Sequence, residues 1–268
     1  MMKWLVDRGR IVFAIAIAAF GIENLVCAHS SGPFLPVIPW VPSYPWLAYL
    51  TGLALLAAAI CIATHFHERF TAILLGALFL LCDFLLQLPK VIAAPMDVSI
   101  RTTAFETLTM CSAAWMLAAS LPERASPIGR RDQILNHLLK SGRYLLAISA
   151  IVFGIDHYLV FALIVSLIPR WIPGGGWLWT QITALALIAA GLSFAAGWFD
   201  RLAATLLGVM FLLWVLLLHG PRVVSYPKSH NPDEWSSTFI ALAVCGASWI
   251  LAASLSTNQV AVKLERLK

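Results

Sequence analysis

Long apolar stretches separated by short polar segments recur along the whole chain. Eight of them approach the roughly 20 residues that an α-helix needs to cross a bilayer. They lie near residues 11–28, 46–63, 70–88, 102–121, 144–168, 177–197, 202–219 and 237–255. The pattern predicts an all-α, polytopic membrane protein with eight transmembrane helices.

The eight predicted helices fall into two copies of one four-helix unit. The matching segments read FGIE at 20–23 and FGID at 153–156, WVP at 40–42 and WIP at 171–173, LLG at 74–76 and 206–208, and LAASL at 117–121 and 251–255. We predict a first repeat at 1–121, a cytoplasmic linker at 122–141 and a second repeat at 142–268. Because each copy has an even number of crossings, the two bundles should be parallel repeats.

Composition and charge agree with this architecture and orient it. Hydrophobic residues make up 60% of the chain and charged residues 12%, which is too apolar for a soluble domain. Of the 18 Lys and Arg residues, 13 fall at the termini, in the linker or just after it at Arg143, and in the connections at Arg69 and Arg201. Basic residues favour the cytoplasmic side, so we expect both termini in the cytoplasm, with the protein in a membrane of the bacterial inner-membrane type. The net charge of +5 is then a topology signal and does not indicate nucleic acid.

The first apolar run is long and contains Glu23, so we expect a retained helix and not a cleaved signal peptide.

Polar side chains at membrane depth are the candidate functional residues. An ionisable group inside a membrane helix costs about 2.5–3.5 kcal/mol, so such groups usually face the bundle interior. At about 1.5 Å per residue, the four buried acids reach the same outer third of the bilayer, and hydrogen-bonding and basic groups follow nearby. The ligand-binding candidates are Glu23, Asn24, Asp83, Gln87, Lys90, Glu106, Asp156, His157, His219 and Arg222.

The two copies differ in this polar set. Asp83 and Glu106 of the first copy correspond to Val215 and Ile240, whereas the second copy has histidines where the first has Asn24 and Gln87. An imidazole beside an acid is suited to proton transfer, so any chemistry is expected in the second copy. Three interpretations remain open for these residues, namely a structural polar network, the binding of a small amphiphile, and catalysis. The catalytic residues stay unassigned.

The outer loops of both copies are rich in proline and tryptophan. Tryptophan favours the headgroup level, so these loops are expected either to anchor the protein at the interface or to form a lid over a cleft. The lid candidates are Trp40, Trp46, Trp171 and Trp177.

No metal site is expected from the sequence. The five cysteines contain no CxxC pair, and His65 and His67 have no third ligand nearby.

Several of these features together resemble the DoxX-like membrane proteins over nearly the whole chain. They are Arg10 and Arg143, the FGIE and FGID segments, the WVP and WIP loops, Arg69 and Arg201, and the LPK and GPR segments at 88–90 and 220–222. Each copy looks like one DoxX-type domain. The resemblance implies a role linked to quinones or to a membrane redox system, with a membrane or membrane-associated oxidoreductase as partner. No cofactor is identifiable from the residues, and quinone is the candidate that the resemblance suggests; membrane lipids are the other expected partners.

Without a flavin, haem or thiol motif of its own, the chain is not expected to be catalytic alone. If it has an activity, we expect it as part of a quinone-linked oxidoreductase. The alternatives are a non-catalytic scaffold subunit of a larger membrane complex and a small-solute transporter. The sequence leaves the oligomeric state open.

Overall fold

A computed structural model describes residues 2–26, 45–121, 130–225 and 232–265, and within these ranges all regular structure is helical. The α-helices are α1 (Met2–Val26), α2 (Pro45–Thr64), α3 (Glu68–Cys82), α4 (Leu88–Ala93), α5 (Val98–Ser120), α6 (Arg130–Lys140), α7 (Gly142–Leu159), α8 (Phe161–Leu167), α9 (Gly175–Ala196), α10 (Asp200–Trp214), α11 (Gly220–Ser225) and α12 (Pro232–Glu265). Two π-helical segments continue the third long helix of each half: π1 (Asp83–Gln87) joins α3 to α4, and π2 (Val215–His219) joins α10 to α11.

Seven helical stretches of the described chain are long and apolar enough to cross a membrane. They are Asp7–Val26, Trp46–Thr64, Glu68–Ala93, Gln133–Leu159, Gly175–Ala196, Asp200–Ser225 and Glu234–Leu255. These helices give the protein the character of a multi-pass membrane protein, as the sequence predicts.

The remaining predicted span, at 102–121, corresponds to α5. This helix is long enough to cross a membrane but is less apolar than the other seven. It has 23 residues, and its first half carries Arg101 and Glu106. Its residues 109–118 are all buried, because α5 packs against α3, α7 and α12 in the middle of the bundle. Its second half is therefore covered by protein, and the charge of Arg101 in its first half is paired with Asp156.

The predicted helix at 144–168 is interrupted in the structure. Helix α7 ends at Leu159, Val160 leaves the helical conformation with φ −112° and ψ 35°, and α8 then begins at Phe161. No proline or glycine lies at this break, so the apolar pattern alone gives no sign of it. The break allows α8 to turn back along α9.

Helices pack in the same order in the two halves. In the first half α1 packs on α2 and α3 on α5, and in the second half α7 packs on α9 and α10 on α12. The halves meet where α1 lies along α12 and where α5 lies along α7 and α12. One contiguous core of buried apolar side chains runs through both halves.

Glycine permits the close contact between the third and fourth long helices of each half. A Cβ atom on Gly76 would overlap the indole of Trp115, and one on Gly208 would overlap the indole of Trp249. Tryptophan can lie directly on the facing helix only because these positions have no side chain.

An arginine near the start of the first helix in each half ties down the turn between the next two helices. Arg10 Nη1 donates to the carbonyl of Ile62 at 3.2 Å, and its Nε lies 3.8 Å from the Glu68 carboxylate. In the second half Arg143 Nε donates to the carbonyl of Phe194 at 2.6 Å, and its Nη1 lies 3.5 Å from the Asp200 carboxylate.

Candidate ligand-binding cavity

A cavity of about 370 Å³ lies in the second half, at the end of the bundle where α7 finishes. Its walls come from the last turns of α7, the first turns of α9 and α12, the end of α10 with π2, and the first turns of α5. The break after Leu159 positions α8 and the segment that follows it over the cavity. Most of the lining is aliphatic or aromatic, and four predicted site residues supply polar groups to it: Glu106, Asp156, His157 and His219.

Asp156 is held by two side chains of α5. The Arg101 guanidinium forms an ion pair with Oδ1, to which Nε donates at 2.9 Å, and the Thr102 hydroxyl donates to Oδ2 at 3.0 Å. Only 5% of the Asp156 side chain and 15% of the Arg101 side chain are exposed. Arg101 also donates to the carbonyl of Pro95 at 3.0 Å. Both carboxylate oxygens are therefore engaged, and the negative charge is neutralised by the adjoining half of the protein.

Glu106 lies one turn farther along α5 than Thr102 and lines the same cavity. Among the described residues it has no hydrogen-bond or ion-pair partner. A buried carboxyl group is normally satisfied by hydrogen bonds, because desolvation without compensation costs free energy. The group therefore faces the cavity with its hydrogen-bonding capacity unused.

His157 presents a defined face to the cavity. Its Nδ1 lies 2.7 Å from the carbonyl oxygen of Phe153, and since a carbonyl only accepts, Nδ1 carries the hydrogen. The imidazole also stacks on Trp214, with ring centroids 5.7 Å apart and planes at 24°. In the neutral ring Nε2 is then an acceptor, and it has no hydrogen-bond partner within the described part of the chain.

His219 ends π2 and belongs to a small charged cluster at the edge of the cavity. Its Nδ1 lies 3.6 Å from the Glu234 carboxylate. The other oxygen of Glu234 lies 3.1 Å from Arg222 Nη1. Because a π-helical turn contains one residue more than an α-helical turn, it displaces the wall of the helix locally, and such segments often occur at functional sites.

Five of the predicted site residues lie on first-half helices away from the cavity. Glu23 is buried in α1 and accepts a hydrogen bond from Ser236 of α12 at 2.8 Å. Asn24 donates to the carbonyl of Phe20 within the same helix at 2.8 Å. Asp83 and Gln87 begin and end π1, and Lys90 is exposed on α4.

The tryptophans predicted as lids do not line the cavity. Trp171 and Trp177 are 65% and 62% exposed, and Trp46 on α2 is 59% exposed. Trp40 lies outside the described residues. Four neighbouring side chains cover the cavity instead: Ile168, Pro169, Ile172 and Trp179. The Trp179 indole donates to the carbonyl of Pro173 at 2.7 Å, which fixes its position.

Sequence reasoning missed the partners of the predicted residues. Arg101, Thr102, Glu234 and Trp214 are not among the candidates that the sequence predicts. A signal for Arg101 exists in the sequence, since it directly precedes the predicted span at 102–121 and lies five residues before Glu106. Pairing with a buried acid is the usual way to accommodate such a cation.

No group of three or more His, Cys, Asp or Glu side chains is arranged for metal binding within the described ranges. Cys61, Cys82, Cys111 and Cys245 are free thiols.

Comparison with protein-family models, with curated proteins and with solved structures finds no match to this chain. The site is therefore interpreted from its own geometry.

Proposed function

We propose that this protein binds a small amphiphile of the quinone or lipid type in the cavity of its second half, as an accessory component of a membrane redox system. One observation supports the binding role above the others. Glu106 and His157 line a mostly apolar cavity, and neither the Glu106 carboxyl group nor Nε2 of His157 has a hydrogen-bond partner in the described chain. Ligand sites combine an apolar wall with a few convergent polar groups, and about 370 Å³ falls within their usual range of volumes.

Binding is favoured over acid–base catalysis by the contacts of Asp156. An aspartate that activated His157 would have to hydrogen-bond to the imidazole. Here Arg101 and Thr102 occupy the carboxylate, while His157 donates to its own helix backbone. Asp156 and His157 are neighbours in sequence, but each has its own hydrogen-bond partners, and no hydrogen bond between their side chains is present.

The DoxX-like resemblance and the two-repeat architecture belong to the same proposal. The equivalent helix order, the paired Gly76–Trp115 and Gly208–Trp249 contacts, and the arginine at the start of each first helix all support a duplicated four-helix unit. We further propose that α5 is the eighth span and that both termini lie in the cytoplasm. The cavity then belongs to the outer leaflet.

Titration of the purified protein in nanodiscs with decylubiquinone tests the binding role. Trp179 and Trp214 line the cavity, so a quinone bound there should quench the intrinsic fluorescence. Ala241 is 3% exposed and also lines the cavity. Ala241→Phe places a ring inside it and should weaken binding by at least about tenfold, equivalent to about 1.4 kcal/mol.

The matched control is Leu185→Phe, which introduces the same ring on α9 at a position that is 58% exposed and outside the cavity lining. It should leave the affinity unchanged. Equal quenching of all three proteins would show that the quinone only partitions into lipid, and the binding role would be rejected. Copurification of quinone or of an oxidoreductase in mild detergent tests the redox association separately.

A further inference from the structure

Two side chains that line the cavity, Glu106 and His157, have hydrogen-bonding groups without a partner in the described chain, whereas the guanidinium groups beside the cavity are paired. From this we infer that the ligand has a neutral hydroxyl head, such as that of an alkylphenol, which donates a hydrogen bond to Nε2 of His157 and contacts Glu106. This inference rests on the proposed binding function and makes it specific.

The guanidinium groups beside the cavity are already paired, and three of the uncharged donors there are engaged as well. Arg101 and Thr102 donate to Asp156, and the Thr183 hydroxyl donates to the carbonyl of Trp179 at 2.9 Å. The Trp179 indole donates to the carbonyl of Pro173, and Arg222 is paired with Glu234. An anionic head group therefore finds no unpaired guanidinium group beside the cavity in the described part of the chain.

Acceptors remain available on both sides of the cavity. Nε2 of His157 accepts, because the hydrogen of the neutral imidazole is on Nδ1. Glu106 presents an acceptor oxygen whether its carboxyl group is ionised or protonated, and in the protonated form it also donates. A hydroxyl group donates its single hydrogen to Nε2 of His157 and accepts a hydrogen bond from Glu106 when that carboxyl group is protonated, so one head group satisfies both side chains.

The charges around the cavity disfavour an anionic head. Three acidic groups lie in or beside the cavity, those of Glu106, Asp156 and Glu234. The two guanidinium groups nearby are already paired, Arg101 with Asp156 and Arg222 with Glu234. A carboxylate or phosphate would have to enter a mostly apolar site beside Glu106, and no unpaired cation lines the cavity within the described part of the chain. Burial of an unpaired charge is strongly unfavourable.

Calorimetric titration in nanodiscs with three probes of equal chain length tests the inference. The probes are 4-nonylphenol, its methyl ether and 4-nonylbenzoate, each corrected for partitioning into empty nanodiscs. The phenol should bind about tenfold more tightly than the methyl ether, because the ether leaves a buried acceptor unsatisfied. The benzoate should bind more weakly than the phenol.

A substitution then assigns the preference to one atom. His157→Phe keeps a ring against Trp214 and removes Nε2, so the phenol should lose about tenfold in affinity and the methyl ether should lose little. His137→Phe introduces the same change on the exposed side of α6 and should leave the tenfold preference intact.

The outcomes distinguish the hydroxyl head group from the binding of an amphiphile in general. Equal binding of phenol and ether, tight binding of the benzoate, or a phenol preference that survives His157→Phe overturns the hydroxyl inference and leaves an amphiphile site. Failure of all three probes and of decylubiquinone to bind overturns the proposed function as well.

Discussion

The ion pair between Arg101 and Asp156 joins α5 to α7 at the wall of the cavity. Its two side chains are 15% and 5% exposed, so both charges are largely desolvated. Removing one partner of such a pair leaves an uncompensated buried charge and costs about 3–5 kcal/mol. We predict that Asp156→Leu and Arg101→Leu each lower the melting temperature in detergent by several degrees.

The double variant Arg101→Leu with Asp156→Leu should recover part of that loss, because replacement of a whole buried pair by apolar side chains is often nearly neutral. Arg170→Leu is the control, since Arg170 is exposed and has no ion pair in the described chain. Additive effects of the two single changes, measured by thermal unfolding, would contradict a direct coupling between the side chains.

At the scale of a helix, π2 determines how the end of α10 meets the cavity. A π-helical turn accommodates one extra residue while the α-helical segments on both sides keep their places. Deletion of Leu216 within π2 should therefore be tolerated for folding. It should also withdraw the wall that carries Leu217, Leu218 and His219, and we predict a loss of amphiphile affinity of at least about tenfold.

Two further deletions serve as controls for π2. Deletion of Phe84 in π1 changes the equivalent segment of the first half, away from the cavity, and should preserve both folding and binding. Deletion of Leu206 in the regular part of α10 rotates every later residue of that helix by about 100° and should prevent folding. Size-exclusion chromatography and thermal unfolding measure folding, and calorimetry measures binding. If deletion of Leu216 were as damaging as deletion of Leu206, π2 would be part of the framework and not an adaptable wall.

For the whole molecule, apolar run length predicted the positions of most helices, because the bilayer requires a minimum span. The same reasoning placed Glu23, Asp83, Glu106 and Asp156 at one depth. Depth does not determine which helix an acid faces, and in the structure Glu23 contacts α12 while Glu106 and Asp156 reach the cavity. The break after Leu159 was not predictable from the apolar pattern because it depends on how α8 packs on α9.

The number of crossings in the whole molecule depends on α5 alone. If α5 crosses the membrane, the chain has eight spans and both termini lie on one side; with only the seven more apolar helices, the termini lie on opposite sides. We predict eight, because α5 packs against α3, α7 and α12 in the middle of the bundle and its charge at Arg101 is paired with Asp156. A helix can cross a bilayer with modest hydropathy when its polar side chains face protein.

Cysteine labelling in cells decides between these two topologies. In a background with the native cysteines replaced, His137→Cys on α6 should react with a membrane-impermeant maleimide only after the cytoplasm is opened, and Trp171→Cys should react from outside. Both positions are exposed in the structure. Reporter fusions at the two termini should both indicate the cytoplasm. With α5 outside the membrane, the part of the chain after it would be inverted, so His137→Cys would be labelled from outside and the two reporters would disagree.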